Sequence, residues 1–161
     1  MNLAHLHLLL NHLPVLGSAF GLGLLAFGLW RRSDELKKVA LGVFAIVAVA
    51  AVPVYLTGQP AEEIIESLPG VSMPVIEQHE SAAGLGFVAI LGLGMASLTG
   101  LSAFRNGNPL PVWFDISVLV AALIVCGLMA WTANLGGQIR HSEIRTNSSA
   151  PAGAESRRHD D

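Results

Sequence analysis

Charge is what this sequence has least of. Of 161 residues, 13% are Asp, Glu, Lys or Arg, while 52% are hydrophobic. Soluble domains carry about 25% charged residues. A chain with this deficit has lipid, not water, as the solvent its surface suits. No charged side chain occurs from Met1 to Trp30, Val39 to Ala61, Ser81 to Phe104 or Ile116 to Ile139. Cysteine is almost missing as well. Cys126 stands alone among apolar residues, which excludes an intramolecular disulfide and fits a packing side chain. The net charge of −3 and the lack of any basic stripe argue against a nucleic-acid partner. Also absent are HExxH, a phosphate-binding loop and a nucleophile–base pair, so nothing marks a soluble-type enzyme.

Each charge-free run supplies the roughly 20 helical residues that cross a ~30 Å hydrocarbon core. The runs show no period-2 alternation, and backbone in lipid must bond internally, so they are helices. The expected fold is all-α: a four-transmembrane-helix bundle with helix cores near 8–30, 39–57, 81–104 and 113–135. One domain spans 1–145. The tail TNSSAPAGAESRRHDD, residues 146–161, is polar and aperiodic and is expected to be disordered. Small residues supply the packing logic within lipid. Gly17 and Gly21 form GxxxG, and Gly84, Gly86, Gly92, Gly94 and Gly100 thin the third helix. These glycines suit contacts within the chain first and a homo-oligomer face second.

Five of the nine basic residues lie in two loops on one side: Arg31, Arg32, Lys37, Lys38 and Arg105. The loop from Gln59 to Glu80 has none. Positive-inside counting therefore puts both termini outside a bacterial inner (cytoplasmic) membrane. The first stretch lacks a basic n-region and reads as a retained helix, not a cleaved signal. Trp30, Trp113 and Phe114 are expected at the inner boundary, and Tyr55 and Trp131 at the outer one. Asp115 suits the dipole of the fourth helix's N-terminus.

The outer loop QPAEEIIESLPGVSMPVIEQHE is the one place with organised polarity. Pro60 suits a first helical position and Glu62 and Glu63 a first turn, so a short interfacial helix is expected near 61–68. Four histidines from three helices converge on this side: His7, His12, His79 and His141. His5 precedes them. His12 is nineteen residues from Arg31, about 28 Å at helical rise, which places it at the outer boundary. Ionisable groups at such depth are functional candidates.

Three readings follow. Two histidines on different helices can ligate haem b, with His12 paired to His79 or His141, His7 next, and Arg140 near a propionate. Alternatively, His12, His79 and His141 form a transition-metal site with Glu62, Glu66, Glu77 or Glu80, although the paired Glu-x-x-His signature of di-iron bundles is absent. The third reading is a scaffold or accessory subunit, whose histidines merely bond loop groups, whose acids pair with Arg140 and Arg145, and whose outer loop docks a membrane or periplasmic protein. Spacing bears on the choice: His7 and His12, five apart, point roughly 140° apart on one helix and cannot easily share an ion.

The segments HLLLNHLP, YLTGQPAEE, EQHE and ANLGGQIRHSEIR resemble those of small four-helix bacterial membrane proteins grouped as a domain of unknown function. His7, His12 and Pro14 match its His-x4-His-x-Pro start, Gly58 the end of helix 2, His79 the opening of helix 3, and Gly136-Gly137 the segment after helix 4. The resemblance covers about residues 4–145. It implies a four-helix integral membrane protein and leaves the chemistry to the residues.

Overall fold

The structure, a computed structural model, describes residues 3–66, 69–105, 109–141 and 145. It is an all-α bundle of α1 (Leu3–Leu10), α2 (His12–Arg31), α3 (Asp34–Ile65), α4 (Met73–Ala103) and α5 (Val112–Arg140). Proline separates the first two. Pro14 has no N–H to offer the Leu10 carbonyl, yet Asn11 N–H still bonds the His7 carbonyl at 2.9 Å and Asn11 keeps a helical backbone. α1 and α2 thus act as one span, and the four spans are each long and apolar enough to cross a membrane.

Every span starts before the core expected from its charge-free run, and all but α4 also run beyond its end. α3 does so furthest. It passes through Pro53 and Pro60 and ends at Ile65, so the acidic stretch expected as a separate interfacial helix is the last turn of a membrane helix. Ser67 and Leu68 of that expectation, and the tail 146–161, lie outside the described residues. Local chemistry explains the starts and stops. Ser33 caps α3, its hydroxyl accepting from Leu36 N–H at 3.3 Å, and Asp34 and Glu35 sit in the first turn. α2 closes with Arg32 in the left-handed region, φ 52°, while Ser33 N–H reaches back to the Gly28 carbonyl at 2.9 Å. Hydroxyls inside the spans bond back one turn: Ser18 to the Pro14 carbonyl, Thr57 to that of Pro53, Thr132 to that of Leu128.

The spans form a closed ring in chain order: α2 packs on α3, α3 on α4, α4 on α5 and α5 on α2, while α1 packs mainly on α3. Leu25, Leu41, Phe44, Ile90 and Val125 fill the centre. Phe20, Ile46, Val49 and Val88 point outward, each more than 60% exposed, a surface that only lipid accommodates. Glycines set the close approaches. A methyl at Gly21 would meet the Phe44 ring at 2.5 Å, and one at Gly94 would overlap the Ala48 side chain. Gly17 faces Val47 in the same way, so the GxxxG face is used within the chain. By contrast, Gly84 and Gly92 face open space. Phe114, expected in an interfacial belt, is buried instead and packs beside Gly100.

Candidate functional site

One end of the bundle carries the two basic loops. The other carries the histidines. At the basic-loop end, Lys37 and Asp115 are buried together. The Lys37 Nζ donates to Asp115 Oδ2 at 2.8 Å and lies 2.6 Å from Asp34 Oδ1. Each charge is thus compensated, and the pair joins α3 to α5 across the ring. Sequence reasoning counted Lys37 as a loop cation and Asp115 as a dipole partner. Neither role implies burial, and the pairing rests on helix packing.

The histidine end is organised differently. His7, on α1, is half-buried against α3, and its Nδ1–H donates to the Val54 carbonyl at 3.0 Å, with Thr57 Oγ1 at 3.4 Å. His79, on α4, is half-buried against α5 and donates from Nδ1 to the Thr132 carbonyl at 3.0 Å. A carbonyl only accepts, so Nδ1 carries the proton in both rings and the neutral imidazole keeps its lone pair on Nε2. That is the arrangement by which a backbone carbonyl orients a histidine ligand.

A glycine backs each ring. Gly58 stands one turn beyond Val54, and a methyl there would lie 3.7 Å from His7 Cε1. Gly136 stands one turn beyond Thr132, and a methyl there would lie 3.1 Å from His79 Cε1. The Gly58 and Gly136 positions singled out by resemblance are therefore the seats of the two imidazoles. Asn11, one turn from His7 on the same helical face, has its side-chain Oδ1 buried without a hydrogen-bond partner.

The other expected site residues are placed elsewhere. His12 is exposed, whereas His7 is half-buried. His141 and His5 are exposed at the ends of α5 and α1, and Arg140 is exposed beside Pro69 and Gly70. Glu62 is half-buried, while Glu66, Glu77 and Glu80 are exposed. Among the described residues no three His, Cys, Asp or Glu side chains are grouped to hold a metal ion. Arg145, expected against loop acids, instead bonds the carbonyls of Gln138, Ile139 and Gly70, tying the end of α5 to the loop before α4.

What this geometry defines is a multi-pass four-helix membrane bundle with two oriented imidazoles from different spans at one end. The chain matches no protein family, no curated protein and no solved structure.

Proposed function

We propose that this is a small membrane redox protein that holds one haem b near its histidine end, with His7 and His79 as axial ligands. The observation that carries the reading is the matched pair of imidazoles. Each is fixed through Nδ1–H to a backbone carbonyl, each is backed by glycine, and each has Nε2 left for a ligand.

The donor set favours haem over a bare ion. A zinc-type site takes three or four protein ligands, and no such group is present among the described residues. A haem iron takes its equatorial nitrogens from the porphyrin and asks the protein for one or two axial donors, which two histidines supply. Bound there, haem supplies one-electron transfer at the membrane surface. The chain's own residues would hold the imidazole planes through Val54 and Thr132 and leave room for the His79 ring at Gly136. Arg140, at the same end, is suited to a propionate carboxylate. In a bacterial inner membrane with both termini outside, the site opens to the periplasmic side, where a partner would deliver or accept the electron.

The test is a dithionite-reduced minus oxidised spectrum of the detergent-purified protein, expressed with ample haem, with iron analysis of the same sample. A sharp reduced α-band with about one iron per chain is expected for bis-histidine haem. His7→Ala and His79→Ala should abolish it, and His12→Ala and His141→Ala should leave it. A flat spectrum with stoichiometric zinc, copper or iron would overturn haem in favour of a bare-ion site. A flat spectrum without metal would sink both and leave the accessory-subunit reading, in which the acidic loop docks a protein.

A further inference from the structure

The two histidine seats repeat each other, and buried positions along the spans and the helix ends at the basic-loop end repeat with them. His7 and His79 are 72 residues apart. The same shift carries the end of α2, Arg31, onto the end of α4, Ala103. It also carries every buried residue of α2 onto a buried residue of α4. Pro14 falls on Gly86, Ser18 on Ile90, Gly21 on Leu93, Leu25 on Ser97 and Gly28 on Gly100.

The returning helices agree in the same way. Val54 and Thr132, the carbonyls that receive the imidazoles, are 78 residues apart, as are Gly58 and Gly136. This second shift carries the N-cap Ser33 onto the N-cap Pro111, and Asp34, the start of α3, onto Val112, the start of α5. Each buried residue of α5 except Phe114 falls on a buried residue of α3. Ala40 meets Val118, Phe44 meets Ala122, Val47 meets Val125, and Lys37 meets Asp115. The extra six residues of the second shift fall in the connection after Phe104.

Helical periodicity alone would match buried faces in several registers. Here the register is set independently by the helix ends, by the N-caps and by the histidine–carbonyl–glycine trios. Contacts correspond as well. Gly28 lies against Leu36 and Gly100 against Phe114, and those partners are equivalent positions. The spans of equivalent hairpins run in the same direction, because both begin at the histidine end. They sit diagonally in the ring, as a two-fold axis along the bundle requires. Parallel repeats about such an axis are a known membrane-protein architecture.

We infer that the chain is a duplicated helical hairpin, 3–65 and 73–140, and that His7 and His79 are one ligand position present twice, sharing a single axially coordinated metalloporphyrin on the pseudo-two-fold axis. The shared ligand rests on the function proposed above; the duplication does not. At the far end the same axis is crossed by Lys37–Asp115. That ion pair joins two equivalent positions carrying opposite charges, as a homodimeric ancestor with identical hairpins could not.

Two measurements test this. The first transposes the charge cluster between equivalent positions: Lys37→Asp with Asp115→Lys, and Asp34→Val with Val112→Asp. The transposed chain should elute as a single species in detergent and melt within a few degrees of the wild type, whereas Lys37→Asp or Asp115→Lys alone should aggregate. A transposed chain no better than the single variants overturns the equivalence. The second titrates purified chain with hemin. One haem per chain is expected, with His7→Ala and His79→Ala weakening uptake by the same order. Two haems per chain, each lost with one histidine, or a loss confined to one variant, overturns the shared ligand. A wild-type chain that takes up no haem overturns the proposed function and the shared ligand together, and the transposition still judges the duplication alone.

Discussion

The two ends of the bundle place polar groups in an apolar setting and treat them in opposite ways. At the basic-loop end, Lys37 has two carboxylate partners and its buried partner Asp115 is satisfied by it. That pair leaves no charge over for a ligand, although Ser97 Oγ, six residues before the end of α4 in the same half, is buried without a hydrogen-bond partner. At the histidine end, His7 and His79 each spend one ring nitrogen on a carbonyl, and Asn11 Oδ1 has no partner at all. Burying a polar group without a partner costs about 1–3 kcal/mol, and at the histidine end that cost falls one turn from the His7 imidazole. The closed end holds α3 to α5, and the open end is the one that the proposed ligand would use.

The sharpest way to break that contrast is to unpair the closed end. Lys37→Ala should cost about 3–5 kcal/mol, because the Asp115 carboxylate is left buried without its partner, and Asp115→Ala should cost less, because Asp34 still pairs with Lys37. Replacing both by apolar residues, Lys37→Met with Asp115→Leu, should recover most of the loss. Thermal melts in detergent measure both. Equal destabilisation by the single and double variants would show that the pair does not hold the bundle.

Packing along the middle offers an internal control. Gly21→Leu drives a side chain into Phe44 and should cost about 1–3 kcal/mol by overpacking. Gly92→Leu faces open space and should leave the melting temperature unchanged.

At the open end the expected effect moves from stability to binding. Gly136→Ala places a methyl 3.1 Å from His79 Cε1, closer than that ring tolerates without shifting. On the proposed function, haem affinity should fall about tenfold, the low end of what changes beside a ligand cost, with the melt of the haem-free chain nearly unchanged. Gly58→Ala makes an ordinary contact at 3.7 Å and should change neither. The smallest effect lies at the α2–α3 turn. Arg32 adopts φ 52°, a conformation that costs a residue with a side chain about 1–2 kcal/mol and glycine almost nothing. Arg32→Gly should therefore raise stability by about 1 kcal/mol.

The four helices were readable because their centres lack charge, and lipid admits no alternative to regular helices there. Their ends were not. Pro60, Glu62 and Glu63 suit a helix start as well as they suit the last turns of one already running. The inner face was unreadable for a related reason: residues facing lipid are as apolar as residues facing the core. Phe20 and Phe44 look alike in sequence, yet one is exposed and one is buried. At the site, spacing separated His7 from His12 but could not say which faced inward. Position 12, with Pro14 beside it and about 28 Å from the first arginine, was weighted above position 7. The signal that favours His7 lies far along the chain. It has the same distance to Gly28 as His79 has to Gly100, and that coincidence means little until both glycines are seen buried.

The Lys37–Asp115 pair has a consequence for synthesis of the chain. Lys37 is made well before Asp115, which arrives with the last span. Until α5 is made, Asp34 is the only one of its two carboxylates that can pair with Lys37, and the ammonium counts with Arg31, Arg32 and Lys38 in the positive flank from which the orientation is expected. Once α5 enters, the same ammonium is withdrawn into the bundle and neutralised. A single side chain is thus available to the loop flank early and to the α3–α5 contact late, and Asp115→Ala, which keeps the positive charge, should insert as the wild type does and lose only that contact.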